Sequence, residues 1–437
     1  MKKFSKTTGI SIVIASMVGT GVFTSLGFQL LGIQSFFVLM LLWFVGGITA
    51  LCGALTYAEL GASLPRSGGE YNFLGQLYHP CAGFISGWIS ATVGFAGPVA
   101  LAAMTFGAYL SAIFPELPRT GSALTLVAIL TVVHCFSRQV SGDIQKLFTA
   151  LKVLLILLFC VVIFIWGTTP QEISFAPTAG DKKILFSGAF AIALIYVNYA
   201  YTGWSAVTCV ISELDDVQRN LPIILLIGTI TVMLVYLLLN FTFLSAAPIS
   251  SLKGKLEVGV IVAEHALGNT AGKAMGAILA LLLISTVSAM TMAGPRVLKV
   301  IGEDFQFFSK LSHLSTNGIP TNAIIFQSLL ASSFIISATF ESVLVFSSFV
   351  LGINTLFAVL GVFVLRYKKL NIDGAYRTFS YPIAPLIYLG ITLWTLIYVS
   401  VSKPQEAGMG IAIILSGGII YLFSVKVGAT KTTKQDN

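Results

Sequence analysis

Charge is scarce in this chain: 10% of its 437 residues are Asp, Glu, Lys or Arg, against roughly 25% in a soluble globular domain. No polar stretch is long enough to fold by itself, which excludes a soluble enzyme, a disordered chain and a single-pass anchor carrying a folded head. Cysteine is also sparse. Cys52, Cys81, Cys135, Cys160 and Cys209 stand singly, without CxxC or His-Cys spacing, so they read as small packing residues, with neither a disulfide nor a metal site expected. His79, His134, His265 and His313 are scattered, and no carboxylate pair falls within an apolar run. A membrane-embedded enzyme therefore lacks its chemistry, and no catalytic residue, metal or cofactor is assigned. A channel lacks the polar ring repeated across helices that its pore needs.

What the chain has is apolar length. Hydrophobic residues make up 56% of it, and about 20 consecutive apolar residues cross a ~30 Å hydrocarbon layer as a helix. Twelve such spans fall near residues 8–31, 36–61, 82–114, 122–137, 144–167, 184–212, 222–247, 273–301, 321–339, 342–365, 381–401 and 407–425. The surroundings are thus a lipid bilayer. The first run follows Lys2, Lys3 and Lys6 in the manner of a signal peptide but continues to Leu31 without a cleavage-like end. An even number of spans puts both termini on one side. Seventeen Lys and Arg fall on that side and seven on the other, so both termini are expected in the cytoplasm, where basic loops collect. The net +8 is an orientation signal, and no nucleic-acid partner is expected. The tail after Val427 has the composition of a disordered end.

Two places break the helical pattern at mid-bilayer depth. In the first span, Val18-Gly19-Thr20-Gly21-Val22-Phe23 sets two glycines around a hydroxyl. In hydrocarbon every backbone N–H and C=O needs a partner, so an unwound turn survives only beside a protein-lined cavity or a ligand. Close packing of small residues is the competing reading of such a pair. In the sixth span, Tyr199-Ala200-Tyr201-Thr202-Gly203-Trp204 interrupts an aliphatic run. Gly21 and Gly203 each lie in the first helix of a set of five spans. Matching interruptions in two halves of a chain point to an inverted-repeat transporter with its site at the midplane. Amides freed at the start of one half-helix attract a carboxylate, and carbonyls freed at the end of another attract an ammonium group. The implied ligand is a zwitterion. The expected organisation is one membrane unit, with halves at 8–167 and 184–365, two trailing helices at 381–425 and a tail at 428–437.

Lys152 lies inside the fifth span, where a lysine at the helix centre costs about 2.5–3.5 kcal/mol on insertion scales. Snorkelling to the interface is one reading. A fixed cation bonding the open carbonyls of the first helix, where a sodium ion would otherwise sit, is the other, and it predicts sodium-independent transport. Tyr236 needs a partner for its hydroxyl in an apolar setting and is a candidate to face the site. Ser285, Thr286, Ser288 and Thr291 line the cavity or bond their own backbone. Two charged loops, Tyr57-Ala58-Glu59-Leu60 through Glu70-Tyr71 and Glu213 to Arg219, are solvated charges or gate ion pairs.

Gly19-Thr20-Gly21-Val22-Phe23, Tyr57-Ala58-Glu59-Leu60 through Arg66-Ser67-Gly68-Gly69-Glu70-Tyr71, and Tyr201-Thr202-Gly203-Trp204 with Arg219-Asn220-Leu221-Pro222, in this order, resemble the L-amino-acid transporters of the amino acid-polyamine-organocation superfamily. The resemblance covers essentially all twelve spans. It implies an all-α membrane protein with twelve transmembrane helices, a five-plus-five inverted repeat of the LeuT type whose first and sixth helices are unwound. It further implies sodium-independent, obligatory exchange of small neutral L-amino acids such as alanine, serine and cysteine, with a proton- or sodium-coupled symporter as the alternative. By the same resemblance, the amides of Thr20, Gly21 and Val22 receive the substrate carboxylate and the carbonyls of Met17, Tyr199 and Thr202 its ammonium. Ala200, Gly203 and Tyr236 complete the site, Tyr199 gates it, and Lys152 stands in for the cation of sodium-driven relatives. Large-substrate members carry glycine at the place of Thr202, so its bulk favours small side chains. Animal members bond a glycoprotein partner through a cysteine between the third and fourth helices. Residues 115–121 contain none, so no disulfide-linked heavy subunit is expected, and the chain is read as working alone in a prokaryotic plasma membrane.

Overall fold

The computed structural model describes residues 3–136, 142–168, 170–305, 308–315, 318–370, 372 and 374–435. Lys2 and Arg138 from the orientation count, and Asp436 and Asn437 at the end of the predicted tail, lie outside the described residues.

The first span is two helices, α1 (Lys6–Met17) and α2 (Gly21–Gln29). α3 (Phe36–Ser63) is the second span, and two short helices, α4 (Glu70–Leu77) and α5 (Pro80–Ile89), lead into the third. A π turn over Ser90–Gly94 joins α5 to α6 (Ala96–Ile113), a break the apolar run at 82–114 did not announce. α7 (Arg119–Phe136) and α8 (Gly142–Trp166) complete the first five spans. After the short α9 (Asp181–Leu185), the sixth span divides into α10 (Gly188–Tyr201) and a 3₁₀ helix over Trp204–Glu213. α11 (Val217–Ala246) is the seventh span. The loop beyond it holds α12 (Ile249–Leu252) and α13 (Val258–Leu267). α14 (Asn269–Asp304), the short α15 (Ser309–Ser312), α16 (Thr321–Ser337) and α17 (Phe340–Tyr367) carry spans eight to ten. α18 (Ile383–Ser402) and α19 (Pro404–Gln435) trail, α19 continuing past Val427 into the predicted tail.

Local chemistry explains the starts. Ser35 accepts from the Val38 amide at 3.3 Å and Thr339 from the Ser342 amide at 3.2 Å, both ordinary N-caps. At α5, His79 Nδ1 accepts from the Cys81 amide at 3.1 Å and Pro80 takes the first helical position, where its missing N–H costs nothing. Large apolar side chains sit exposed on the outside of α7, α8, α18 and α19, for example Val132, Leu154, Ile397 and Leu415. Water would penalise such a belt and hydrocarbon does not. Among the described residues ten helices are long and apolar enough to cross a membrane, with shorter apolar helices such as Thr321–Ser337 beside them, and the molecule is a multi-pass membrane protein. Because five is odd, the sixth span enters from the face opposite the first, which inverts the second set of five relative to the first.

α3 and α1 pack on α11, α6 packs on α14, and α18 lies across α3, α10 and α17. The seam between α1 and α11 is close because Gly9 and Gly228 face side chains of the other helix. A methyl on Gly9 would come within 2.5 Å of Ile224 and one on Gly228 within 2.6 Å of Val13.

The face that carries the N-terminus is tied shut by backbone. The Phe4 amide donates to Glu213 O at 2.6 Å and the Asp215 amide to Phe4 O at 3.1 Å, while Ser67 and Ser212 exchange amide-to-hydroxyl bonds at 3.1 and 3.0 Å. The local reading of the charged loops changes here. Glu59 is not a solvated loop charge near Arg66: it is fully buried in α3 and pairs with Arg366 of α17 at 2.8 and 2.9 Å. The same carboxylate accepts from the Thr378 amide at 2.7 Å, and the Arg366 guanidinium lies 3.6 Å over the Tyr381 ring. Glu70, at the start of α4, accepts from Tyr57 at 3.1 Å, and burial pushes its carboxyl above the ordinary range. Tyr71 donates to Asp304. On the opposite face, Lys403 and Tyr196 both reach Glu341, at 2.8 and 2.7 Å, and Phe28 stacks on Phe340.

Candidate functional site

Both predicted breaks are present and they touch. α1 stops at Met17, where the Val18 amide closes the last turn on Ile14 O at 2.9 Å. α2 starts at Gly21 with no side-chain cap on its N-terminus. The amides of Thr20, Gly21 and Val22 donate to no backbone carbonyl among the described residues. Three clustered N–H groups at a helix N-terminus make an anion site.

The sixth-span break has the opposite polarity. α10 ends at Tyr201, Thr202 is extended (φ −62°, ψ 142°) and Gly203 sits at φ +119°, where an L side chain is strained. The Thr202 amide donates to Tyr199 O at 3.0 Å and the Ala206 amide to Gly203 O at 3.0 Å. The carbonyls of Tyr201 and Thr202 receive no backbone N–H among the described residues. Free carbonyls at a helix C-terminus favour a cation.

The two breaks approach as closely as backbone permits. A methyl group on Gly21 would fall 2.6 Å from Ala200 Cα, and one on Gly203 would fall 2.5 Å from Ser16 O. Tyr236 of α11 bridges them: its hydroxyl lies 2.6 Å from Met17 O and 3.0 Å from Ala200 O. One phenolic proton cannot satisfy both carbonyls fully. Of the three carbonyls predicted to hold an ammonium group, that of Thr202 is open, while those of Met17 and Tyr199 each already accept one bond and keep a second lone pair. The Tyr199 hydroxyl meets the Thr20 side chain across the gap, so its ring spans from one break to the other.

Behind the sixth-span break lies a cavity of about 60 Å³ lined in part by Thr202, an exposed residue. Its wall includes Thr49, Asn198, Ser348, Thr355 and Thr392, neutral hydrogen-bonding groups with no charge among them. The Ser348 hydroxyl is buried and has no partner among the described residues. The sequence reading missed this α17–α18 wall, and also Trp43, which packs edge-on to Tyr236 with centroids 5.6 Å apart and whose carbonyl accepts from Tyr201 at 3.1 Å.

Lys152 is buried in α8, so it does not snorkel. Its ammonium donates to Thr286 Oγ1 of α14 at 2.9 Å, which ties the fifth span to the eighth. A bond from Lys152 to the carbonyls of the first helix is absent among the described residues. Thr291 bonds Val287 O at 2.8 Å, and Ser288 sits 2.8 Å from His134 Nε2.

Among the described residues, no group of His, Cys, Asp and Glu side chains is arranged to hold a metal ion. The geometry instead offers donors on one broken helix, acceptors on the other and a neutral polar cavity between spans.

Comparison with known proteins agrees with that chemistry. The human b(0,+)-type amino acid transporter 1 is 25% identical over 434 residues, covering 97% of this chain and 87% of the relative. The mouse large neutral amino acids transporter small subunit 2 is 28% identical over 436 residues, covering 97% and 81%. The serine/threonine exchanger SteT of Bacillus subtilis (strain 168) is 26% identical over 422 residues, covering 94% of each. These relatives are transporters, not enzymes. A family model described as amino acid permease matches residues 4–419, both breaks included, and the chain belongs to that family.

Proposed function

We propose that the protein is a sodium-independent, obligatory exchanger of small neutral L-amino acids such as alanine, serine and cysteine. The observation that carries this reading is the apposition of open amides at Thr20, Gly21 and Val22 with the open carbonyl of Thr202, at two breaks that Tyr199 and Tyr236 join. A zwitterion bridges such a pair, its carboxylate on α2 and its ammonium shared by the carbonyls of Met17, Tyr199 and Thr202. Ala200 and Gly203 complete the walls, and the side chain of Thr202 with the 60 Å³ cavity limits what the substrate carries.

Transport follows from rocking spans one, two, six and seven against the rest, so that the same site opens to either side. The ligand must stabilise the closed intermediate, and an empty carrier returns slowly, which makes exchange obligatory. Lys152, held on Thr286, supplies the fixed charge that replaces a co-transported cation. The repeats run over 8–167 and 184–365. Both termini lie in the cytoplasm, the chain sits in the plasma membrane, and it works without a disulfide-linked heavy subunit.

Reconstituted vesicles test this. Labelled alanine enters alanine-loaded vesicles at least tenfold faster than empty ones, with or without sodium. Equal entry into loaded and empty vesicles overturns exchange, and accumulation driven by an imposed sodium or proton gradient alone favours a symporter.

A further inference from the structure

A second cavity, of about 180 Å³, shares no lining residue with the first, although Phe23 in its wall directly follows Val22. Its wall is apolar throughout: Phe23 of α2 and Phe243 of α11 on one side, Leu158 and Phe159 of α8, Ala263 of α13 and Met275 of α14 on the other. An apolar space of this kind stays free of water. It opens where the bilayer is. Leu158 is 53% exposed, and it continues a stripe on α8 through Leu154, Val161 and Ile165 that lies on the lipid-facing surface. A tail of the surrounding lipid needs to cross no polar surface to enter.

We propose that this crevice is a binding site for an acyl chain of a bilayer phospholipid, and that its occupancy sets the rate of exchange. The location gives the second half of the proposal. On the mechanism proposed above, on which this half rests, α2 and α11 belong to the body that rocks, while α8, α13 and α14 belong to the body that stays. The crevice straddles their boundary, so its volume changes as the carrier turns over. A ligand that fits one arrangement better than the other shifts the equilibrium by that difference. Ile156 and Leu282, both buried, are also part of its lining. Each is one helical turn from a member of the Lys152–Thr286 bond, so a tail lying against them presses on the contact that ties the fifth span to the eighth.

The test uses the full chain in phosphatidylethanolamine vesicles containing a trace of the same lipid with a photoactivatable diazirine midway along one acyl chain. Cross-links are mapped by mass spectrometry. Label is expected on Leu158, Phe159 and Met275 at least fivefold above that on Leu393 and Ile397 of α18, which are 52% and 54% exposed. Ala263→Phe fills the crevice and reduces that label at least fivefold; Ala271→Leu, on another helix, does the same if the first variant fails to fold. Label spread evenly over all lipid-facing helices, or unchanged in the filled variants, overturns the site. The effect on rate is read separately. Alanine exchange by the wild type changes at least twofold between straight-chain and methyl-branched lipids, and the filled variant loses that dependence; an equal dependence in both overturns the regulatory half. Absence of exchange in any vesicle would instead strike the proposed function and leave the labelling result standing.

Discussion

The two helix breaks are built from the same residue types and work by different physics. At the first, the backbone stays in ordinary territory, with Thr20 right-handed and Val18 at φ −74°, and Gly21 is required for space because Ala200 packs against it. At the sixth, Gly203 is required twice over, for its φ of +119° and for the contact with Ser16 O. The first break presents donors and the second acceptors, as the opposite ends of two helices must. On the proposed reading, a dipolar ligand takes its orientation from these backbone groups, with no charged side chain touching its two ends.

The largest effect should separate the glycines. Gly203→Ala incurs left-handed strain of about 1–2 kcal/mol together with overpacking of about 1–3 kcal/mol, at a position whose neighbour is backbone and cannot move aside. Exchange of labelled alanine by purified Gly203→Ala should fall by about thirtyfold to several thousandfold, at 1.36 kcal/mol per tenfold. Gly21→Ala meets only the steric penalty, about 1–3 kcal/mol. It should lose about five- to 150-fold and retain a measurable rate. Equal losses in the two variants would remove the distinction between a conformational and a packing glycine.

Tyr236→Phe tests what joins the breaks. The phenol is the hydroxyl shared by Met17 O and Ala200 O, and a buried hydrogen bond contributes about 1 kcal/mol net. The ring keeps its packing on Trp43 and Tyr201, so folding should survive. The KM for alanine should change about five- to tenfold with a smaller change in maximal rate. A parallel loss of both constants would mean that the hydroxyl serves folding rather than the site.

Both breaks were legible in the sequence because a glycine beside a hydroxyl at mid-bilayer depth has few structural uses, and lipid forbids an unwound turn without a purpose. The long spans were legible for the same reason, since length and apolarity are all that a bilayer asks, and ten of the described helices meet both. What stayed hidden depends on contacts between distant segments. Glu59 reads locally as one charge of a turn-rich loop, solvated or part of a gate pair, yet Arg366, 307 positions away, closes on it. For Lys152 the sequence leaves snorkelling and a buried charge on the first helix both open, and nothing near it in sequence names Thr286, its actual partner. The π turn at Ser90–Gly94 carries no proline. The cavity wall from Ser348 to Thr392 was overlooked because serine and threonine in a membrane helix usually bond their own turn, as Thr355 does to Leu351 O at 3.0 Å.

The smallest effect concerns the side chain rather than the backbone of the second break. Thr202 Oγ1 bonds back to Asn198 O at 3.1 Å from an exposed position, so removing it leaves no buried group stranded. Thr202→Gly should therefore keep alanine exchange within about threefold, the scale of a solvent-accessible hydrogen bond. It should also open the cavity enough for leucine to compete with labelled alanine, because the Thr202 side chain no longer takes up space that leucine's three extra carbons need. The added glycine loosens the acceptor end, where Thr202 is extended, while the donor end at Gly21 is untouched. A fall in alanine affinity with no gain in leucine competition would mean that Thr202 holds the break in shape, and the size limit would then have to come from Tyr199 and the α17–α18 wall.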